Sequence, residues 1–189
     1  MRLVLASQSP QRREILQRLG LEFVVVAPDV EELTNGVPDR LVVENARRKA
    51  RAVADSGALT IGCDTDVVLD GVLLGKPRGA GEARSYLRKL SGRSHEVLSG
   101  LVIAGPGEGE ERSGVAASTV TFRELDEAAV ERYLASGEWR ERAGGYAVQG
   151  LGSTLVARVD GDLSNVIGLP VGLLLELAPE LFPESFFPA

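Results

Sequence analysis

The sequence predicts an α/β protein, and three observations carry that reading. A short apolar run, Leu3-Val4-Leu5, is followed at once by a polar turn and a helix start. Apolar runs of strand length then alternate with segments of helical spacing along the chain. The dipeptide Asp70-Gly71, with apolar residues on both sides, marks a two-residue hairpin. With 189 residues, 44% of them hydrophobic, the chain can bury a core of its own, and a single domain over 1–189 is expected.

The opening stretch organises the rest. Ser7-Gln8-Ser9-Pro10 stops the first strand; Ser9 is a good N-cap, and Pro10 suits the first helical position because its missing N–H would have no partner there. Ile15, Leu16 and Leu19 share a helical face, while Gln11, Arg12 and Arg13 crowd the first turn. Cations at a helix N-terminus oppose the helix dipole unless an anion is bound. Two serine hydroxyls, bare backbone donors and two guanidiniums outline a phosphate site. A solvated basic helix start is the alternative, and both stay open on these residues.

Residues 22–26 read as a second strand and 27–39 as a loop carrying Asp29, Glu31 and Glu32. Helical spacing over 40–54 runs through Leu41, Asn45, Ala46, Lys49, Ala50 and Val53, with Gly57 as a stop just beyond. Lys49 lies near the apolar stripe, where a lysine either snorkels to water or serves a site. Around Asp70-Gly71, residues 66–69 and 72–74 should pair as a hairpin. Asp64 stands where a strand leaves a glycine, inside an apolar segment; burying it is costly without a cation, a metal or several donors. It is either a functional carboxylate or a satisfied turn aspartate. Asp66 shares its strand face if the segment is extended, and reads as a second oxygen ligand or a solvent-facing hairpin residue. Lys76 sits on a stiff exposed turn before Pro77.

A helix is expected over 80–90, strands over 96–104 and 115–122, and between them a polar, mobile hairpin tip with no chemistry assigned. Residues 126–135 form a further helix with Val130, Tyr133 and Leu134 inward. His95, the sole histidine, excludes a histidine metal cluster and most Ser/His/Asp schemes, and reads as structural. Glycines leave a closely approached backbone around Tyr146 and Gln149, followed by a strand over 154–159, a turn at Gly161 and a final helix over 171–181.

Composition excludes several functions. A net charge of −6 argues against a general nucleic-acid binder, so any positive patch is local. One cysteine leaves no internal disulfide, no apolar run is long enough to span a membrane, and Met1-Arg2 leads into a strand without a secretory h-region. A cytoplasmic location is expected. Neither GxGxxG after the first strand nor GxxxxGK[ST] occurs, so a phosphate must be held by other means.

Taken together, LASQSPQRREIL, the Glu31-Glu32 pair, ARRKA, GCDT, LGKP, LSGRSHEV, AGGYAVQGLG and NVIGLP resemble the Maf family of nucleoside triphosphate pyrophosphatases, in order and from end to end. The resemblance implies an elongated α/β protein with a central twisted mixed sheet flanked by helices, and two lobes with a cleft between them. It implies house-cleaning hydrolysis of a nucleoside triphosphate between the α and β phosphorus atoms, with a divalent cation, Mg2+ or Mn2+, and it suggests a homodimer. On the matching positions it places Ser7, Ser9, Arg12, Arg13, Lys49 and Lys76 on the phosphates, Glu32 and Asp64 on the metal, and Asp64 as proton acceptor. It assigns substrate choice to Gln11, Thr65 and Gln149. Thr65 and Gln149 resemble the members acting on dTTP and UTP rather than those preferring 7-methyl-GTP. A glutamine can pair with a pyrimidine edge through both donors and an acceptor.

Three positions depart from the family pattern: Gln11 replaces a frequent arginine, Cys63 a usual alanine, and Asp66 a usual apolar residue. Loss of the arginine is expected to broaden the substrate range. The competing function classes are a non-catalytic nucleotide- or protein-binding regulator of cell division, a Maf-type pyrophosphatase preferring 7-methyl-GTP, and a nucleic-acid module, which the acidic balance disfavours.

Overall fold

The computed structural model describes residues 2–54, 57–107 and 110–183. The apolar run at the start is buried and forms strand β1 (Arg2–Ala6). Ser9 caps helix α1 (Pro10–Arg18), its Oγ accepting from the Arg12 amide, with Pro10 in the first turn as expected. Strand β2 (Val24–Val26) is shorter than the expected 22–26, because β1 offers it partners only at Val4, Leu5 and Ala6. Helix α2 (Pro38–Ala52) begins two residues before the expected start, with Pro38 at a position that tolerates its missing N–H.

Strand β3 (Ala58–Leu69) is the spine of the sheet. It runs parallel to β1 on one side and antiparallel to β5 (Ser94–Ala104) on the other. Asp64 therefore lies inside a continuous strand rather than at a strand end; β1 pairs with β3 only as far as Gly62, and pairing with Gly100 of β5 keeps the backbone extended through Asp64. The Asp70-Gly71 turn joins β3 to β4 (Val72–Leu73), with φ of 52° and 76° as a type I′ turn demands. Helix α3 (Ala80–Leu90) has the expected bounds. Strand β6 (Glu111–Phe122) starts earlier than expected, since its polar first residues pair with the far end of β5, Ala104 opposite Glu111. Of the expected mobile tip between them, Glu108 and Gly109 lie outside the described residues.

Asp126 caps helix α4 (Glu127–Ser136), which buries Val130, Tyr133 and Leu134 as its spacing predicts. Strand β7 (Val156–Asp160) begins later than the expected 154, because Ser153 and Thr154 turn their hydroxyls back onto the carbonyls of Gly150 and Leu151, closing a 3-10 turn. A short helix that the spacing did not predict, α5 (Leu163–Ile167), is capped by Asp162. The final helix, α6 (Val171–Leu177), ends before the expected 181; Pro179 cannot donate to it, and a 3-10 turn follows. The tail over 184–189 lies outside the described residues.

The seven-stranded mixed sheet has the order β2-β1-β3-β5-β6-β7, with β4 paired to β3. On one face α2 lies directly on the strands. A Cβ at Gly62 would collide with the Ala46 carbonyl, and one at Gly100 with the Val42 carbonyl, so these two glycines admit the helix backbone. Ala46 and Ala50 then pack on Val102, and Val42 on Val68 and Leu98. The alternate residues of β3 face the other way and join two separate apolar clusters. Ile61 and Cys63 pack with Leu16 of α1 and Leu174 of α6; Val67 and Leu69 pack with Leu87 of α3 and Tyr133 of α4. Thr65 falls between them and is polar. Among the described residues no helix is long and apolar enough to cross a membrane.

Candidate active site

At this polar interruption the sheet carries a cavity of about 760 Å³, large enough for a nucleotide. The cap that starts α1 also builds its floor. Ser7 is buried, and its Oγ accepts from the Ser9 amide at 3.1 Å and from an Arg12 guanidinium nitrogen at 3.2 Å. Ser9 Oγ donates to Gln11 Oε1. Arg12 is buried as well; it donates through Nε to the Gly168 carbonyl at 2.8 Å and through its second terminal nitrogen to Thr65 Oγ1 at 3.1 Å. Thr65 is further tied to Ser99 Oγ, 2.8 Å away. Arg12 is therefore a fixed cation, locked before any ligand arrives. Arg13, one residue on, points to solvent and does not line the cavity, so only one of the two expected guanidiniums enters the site.

The second group is a charged relay from α2 to β3. Because the two glycines bring α2 close, Lys49 and Asn45 reach Asp64: Lys49 Nζ is 2.6 Å from Asp64 Oδ1, and Asn45 Nδ2 donates to Asp64 Oδ2 at 3.0 Å. Lys49 also meets Glu32 Oε1 at 2.6 Å, and Lys76 lies 3.7 Å from Glu32 Oε2. Burial opposes ionisation of Asp64, but the Lys49 ammonium, Arg12 and the Asn45 amide more than offset it, holding its carboxyl below the usual value. Lys49 does not snorkel; it is buried and doubly paired. Asp66 is half-buried on the Asp64 side of β3 rather than a solvent-facing hairpin residue. Burial first, then the charges of Asp64 and Glu32, push its pKa up to about 7.

Gln11, Thr65 and Gln149, far apart in sequence, all line the same cavity, with Gln149 exposed at its rim. The wall that carries Gln149 is pinned by α4 and the segment after it: Tyr133 Oη accepts from the Ala147 amide, and the Glu138 carboxylate accepts from the amides of Leu151 and Gly152, all at 2.9 Å. Beneath it His95 Nε2 lies 2.7 Å from Tyr146 Oη and packs edge-on against Phe122 and Tyr146, a structural role as expected. Burial lowers its pKa to about 4, so it is neutral.

Sequence reasoning passed over Asn45, which also clasps the 27–37 loop through the Leu33 amide and carbonyl; an amide inside the apolar stripe of α2 was the available signal. It also passed over the Gly168 carbonyl that anchors Arg12, which no residue type announces.

The donor set suits a hard divalent cation. Glu32 and Asp64 offer carboxylate oxygens, and Mg2+ characteristically takes one or two carboxylates plus substrate phosphates, not a cage built wholly from protein. Among the described residues no group of three acidic, histidine or cysteine side chains is placed to hold a metal ion. Charge points the same way. Arg12, Lys49, Lys76, Arg140 and Arg142 line the cavity against Glu32, Asp64, Glu138 and Glu141, one positive charge in excess. A triphosphate brings about three to four negative charges.

The chain is similar to known proteins along most of its length. The family model described as Maf-like protein matches residues 2–181. The chain is 45% identical over 179 residues to a dTTP/UTP pyrophosphatase of Deinococcus radiodurans, covering 93% of this chain and 91% of that one. It is 42% identical over 184 residues to a dTTP/UTP pyrophosphatase of Dictyoglomus thermophilum, covering 95% of each. A third relative of that name, from Thermococcus gammatolerans, is 45% identical over 176 residues, 93% of this chain and 94% of its own.

Proposed function

This chain belongs to the Maf family, and from that premise we propose that it is a nucleoside triphosphate pyrophosphatase acting on dTTP and UTP, releasing the monophosphate and pyrophosphate. The observation that carries the reading is the placement of Asp64. An ionised, buried carboxylate is held by Lys49 and Asn45 in a nucleotide-sized cavity whose floor is the Ser7–Arg12 anion turn. Both oxygens of Asp64 are oriented by a hydrogen bond, and each keeps a lone pair. Asp64 accepts a proton from water as the water oxygen bonds to the α phosphorus and the α–β bridge breaks. Ser7, Ser9, Arg12, Lys49 and Lys76 supply donors and positive charge to the triphosphate, and fixed dipoles of this kind cost no reorganisation during the reaction. Glu32 and Asp64 would hold the divalent cation, which supplies further charge neutralisation at the phosphates.

Substrate choice falls to Thr65 and Gln149, with Gln11 relaxing it. The names of the relatives and the convergence of the three side chains on one cavity support this. The reading extends to a single two-lobed domain in the cytoplasm, acting as a homodimer; the two apolar clusters flanking the cavity support the lobes. The test is pyrophosphate release from dTTP, UTP, CTP, GTP and 7-methyl-GTP with Mg2+ or Mn2+. Preference for dTTP and UTP is expected. A tenfold or greater preference for 7-methyl-GTP, about 1.4 kcal/mol of transition-state discrimination, would overturn the specificity. Silence with every triphosphate would turn the reading to a non-catalytic binder.

A further inference from the structure

We propose that Arg142 is a further substrate-binding residue of this cavity, donating its guanidinium to the phosphates that leave as pyrophosphate. The inference rests on the pyrophosphatase reading and adds to it a second arginine, carried on the segment that follows α4. Each of the other cations in the cavity is already engaged. Arg12 is bonded to Gly168, Ser7 and Thr65, Lys49 is clamped between Glu32 and Asp64, Lys76 lies by Glu32, and Arg140 rests over the Trp139 ring. Arg142 is half-buried and lines the cavity; its carbonyl accepts from the Gly145 amide, yet among the described residues its guanidinium makes no hydrogen bond and no ion pair. Burial pushes its pKa down from the usual guanidinium value, with Glu138 and Tyr133 acting on it only through space. A cation stripped of much of its water without a partner is unfavourable in the empty protein and favourable once an anion arrives.

The backbone holds it there. Glu141, just before it, adopts a left-handed φ of 56°, uncommon for a residue with a side chain and frequent at functional sites. Just after it, the Gly144 amide donates to the Leu74 and Gly75 carbonyls at 2.5 and 3.2 Å, tying the segment to the turn that presents Lys76. Arg142 and Lys76 are thus carried on joined segments, and both line the cavity that Arg12 also lines. Negative charge grows on the leaving pyrophosphate as the bridge breaks, and a fork of guanidinium donors matches its oxygens.

The experiment compares wild type with Arg142→Ala, Arg142→Gln and Arg142→Lys. In the Ala and Gln variants kcat/KM is expected to fall about a hundredfold, by the same factor for every triphosphate, with partial recovery in Arg142→Lys. Inhibition by inorganic pyrophosphate should weaken at least tenfold while inhibition by the nucleoside monophosphate stays unchanged. A kcat/KM within threefold of wild type in Arg142→Gln overturns the proposal. So does an altered base preference with pyrophosphate inhibition intact, which would place Arg142 at the base. Calorimetry with inorganic pyrophosphate alone reads the same contact without turnover. If wild type binds it and Arg142→Gln does not, Arg142 stands even where the pyrophosphatase reading fails. If both bind equally, Arg142 falls while that reading stands.

Discussion

Asp64 and Lys49 hold each other in place at the smallest scale. A buried lysine without its carboxylate is costly, and here it has two, at 2.6 Å each. Asp64→Asn removes the proton acceptor with little change of shape; kcat/KM should fall at least about a hundredfold while unfolding stays cooperative at a lowered midpoint. Activity within about tenfold of wild type would remove Asp64 from the proposed chemistry. His95 offers a test of a different kind. Its folded pKa, about 4, is depressed by burial below the ordinary 6.5. The unfolded chain therefore binds a proton through that window that the native state refuses. Stability from the neutral ring is fully present above about pH 6.5 and is lost as pH falls towards 4. His95→Phe should show a smaller drop in melting temperature between pH 7.5 and 5 than wild type. Parallel melting curves for the two proteins would mean that His95 titrates as a free histidine.

The contact between α2 and the sheet decides at the level of elements whether there is a site at all. Gly62 and Gly100 are smooth spots on which the helix backbone rests, and Asn45 and Lys49 reach Asp64 only because it rests there. Gly62→Ala puts a methyl group into the Ala46 carbonyl, and the helix has to lift. Overpacking of this kind typically costs about 1–3 kcal/mol. The expected outcome is a lower urea midpoint together with a loss of turnover larger than the stability change accounts for, since the lifted helix also withdraws Lys49. If activity is unaffected in a protein that is destabilised, the seating of α2 does not position the relay. The hairpin at Asp70-Gly71 and the capped starts of α1 and α4 follow from residues adjacent in sequence, and the bounds of α3 agree with its spacing for the same reason.

Across the whole molecule, two apolar clusters lie along the same side of β3 with polar Thr65 between them; Val67, Val97 and Tyr146 of one cluster line the cavity, as does the Ser7–Arg12 turn that starts α1, the helix packed on the other cluster through Leu16. A bound nucleotide would bridge the turn before α1 and the wall that carries Tyr146 and Gln149. An α,β-methylene analogue of dTTP, which resists cleavage at the proposed bond, should therefore raise the stability of the entire chain in one transition. At a hundred times its dissociation constant the gain is about 2.7 kcal/mol. A split transition, with only one part stabilised, would show that the cavity does not span both clusters.

Local chemistry determined the α/β class, the α1 cap, the α3 helix, the inward face of α4, the hairpin turn and the resemblance that marked Ser7, Ser9, Arg12, Arg13, Glu32, Lys49, Asp64 and Lys76. Each of these rests on periodicity, turn residues or motifs read within a few positions. Tertiary structure alone decided that Arg12 turns inward and Arg13 outward, that Lys49 is clamped rather than snorkelled, and that Asp66 faces the carboxylates. It also closed β3 into one strand and ended the last helix at Leu177. The physical reason is distance along the chain. Arg12 is fixed by a carbonyl 156 residues away and Asp64 by an amide 19 residues away, partners that only the packing of helices on a shared sheet brings within hydrogen-bond reach.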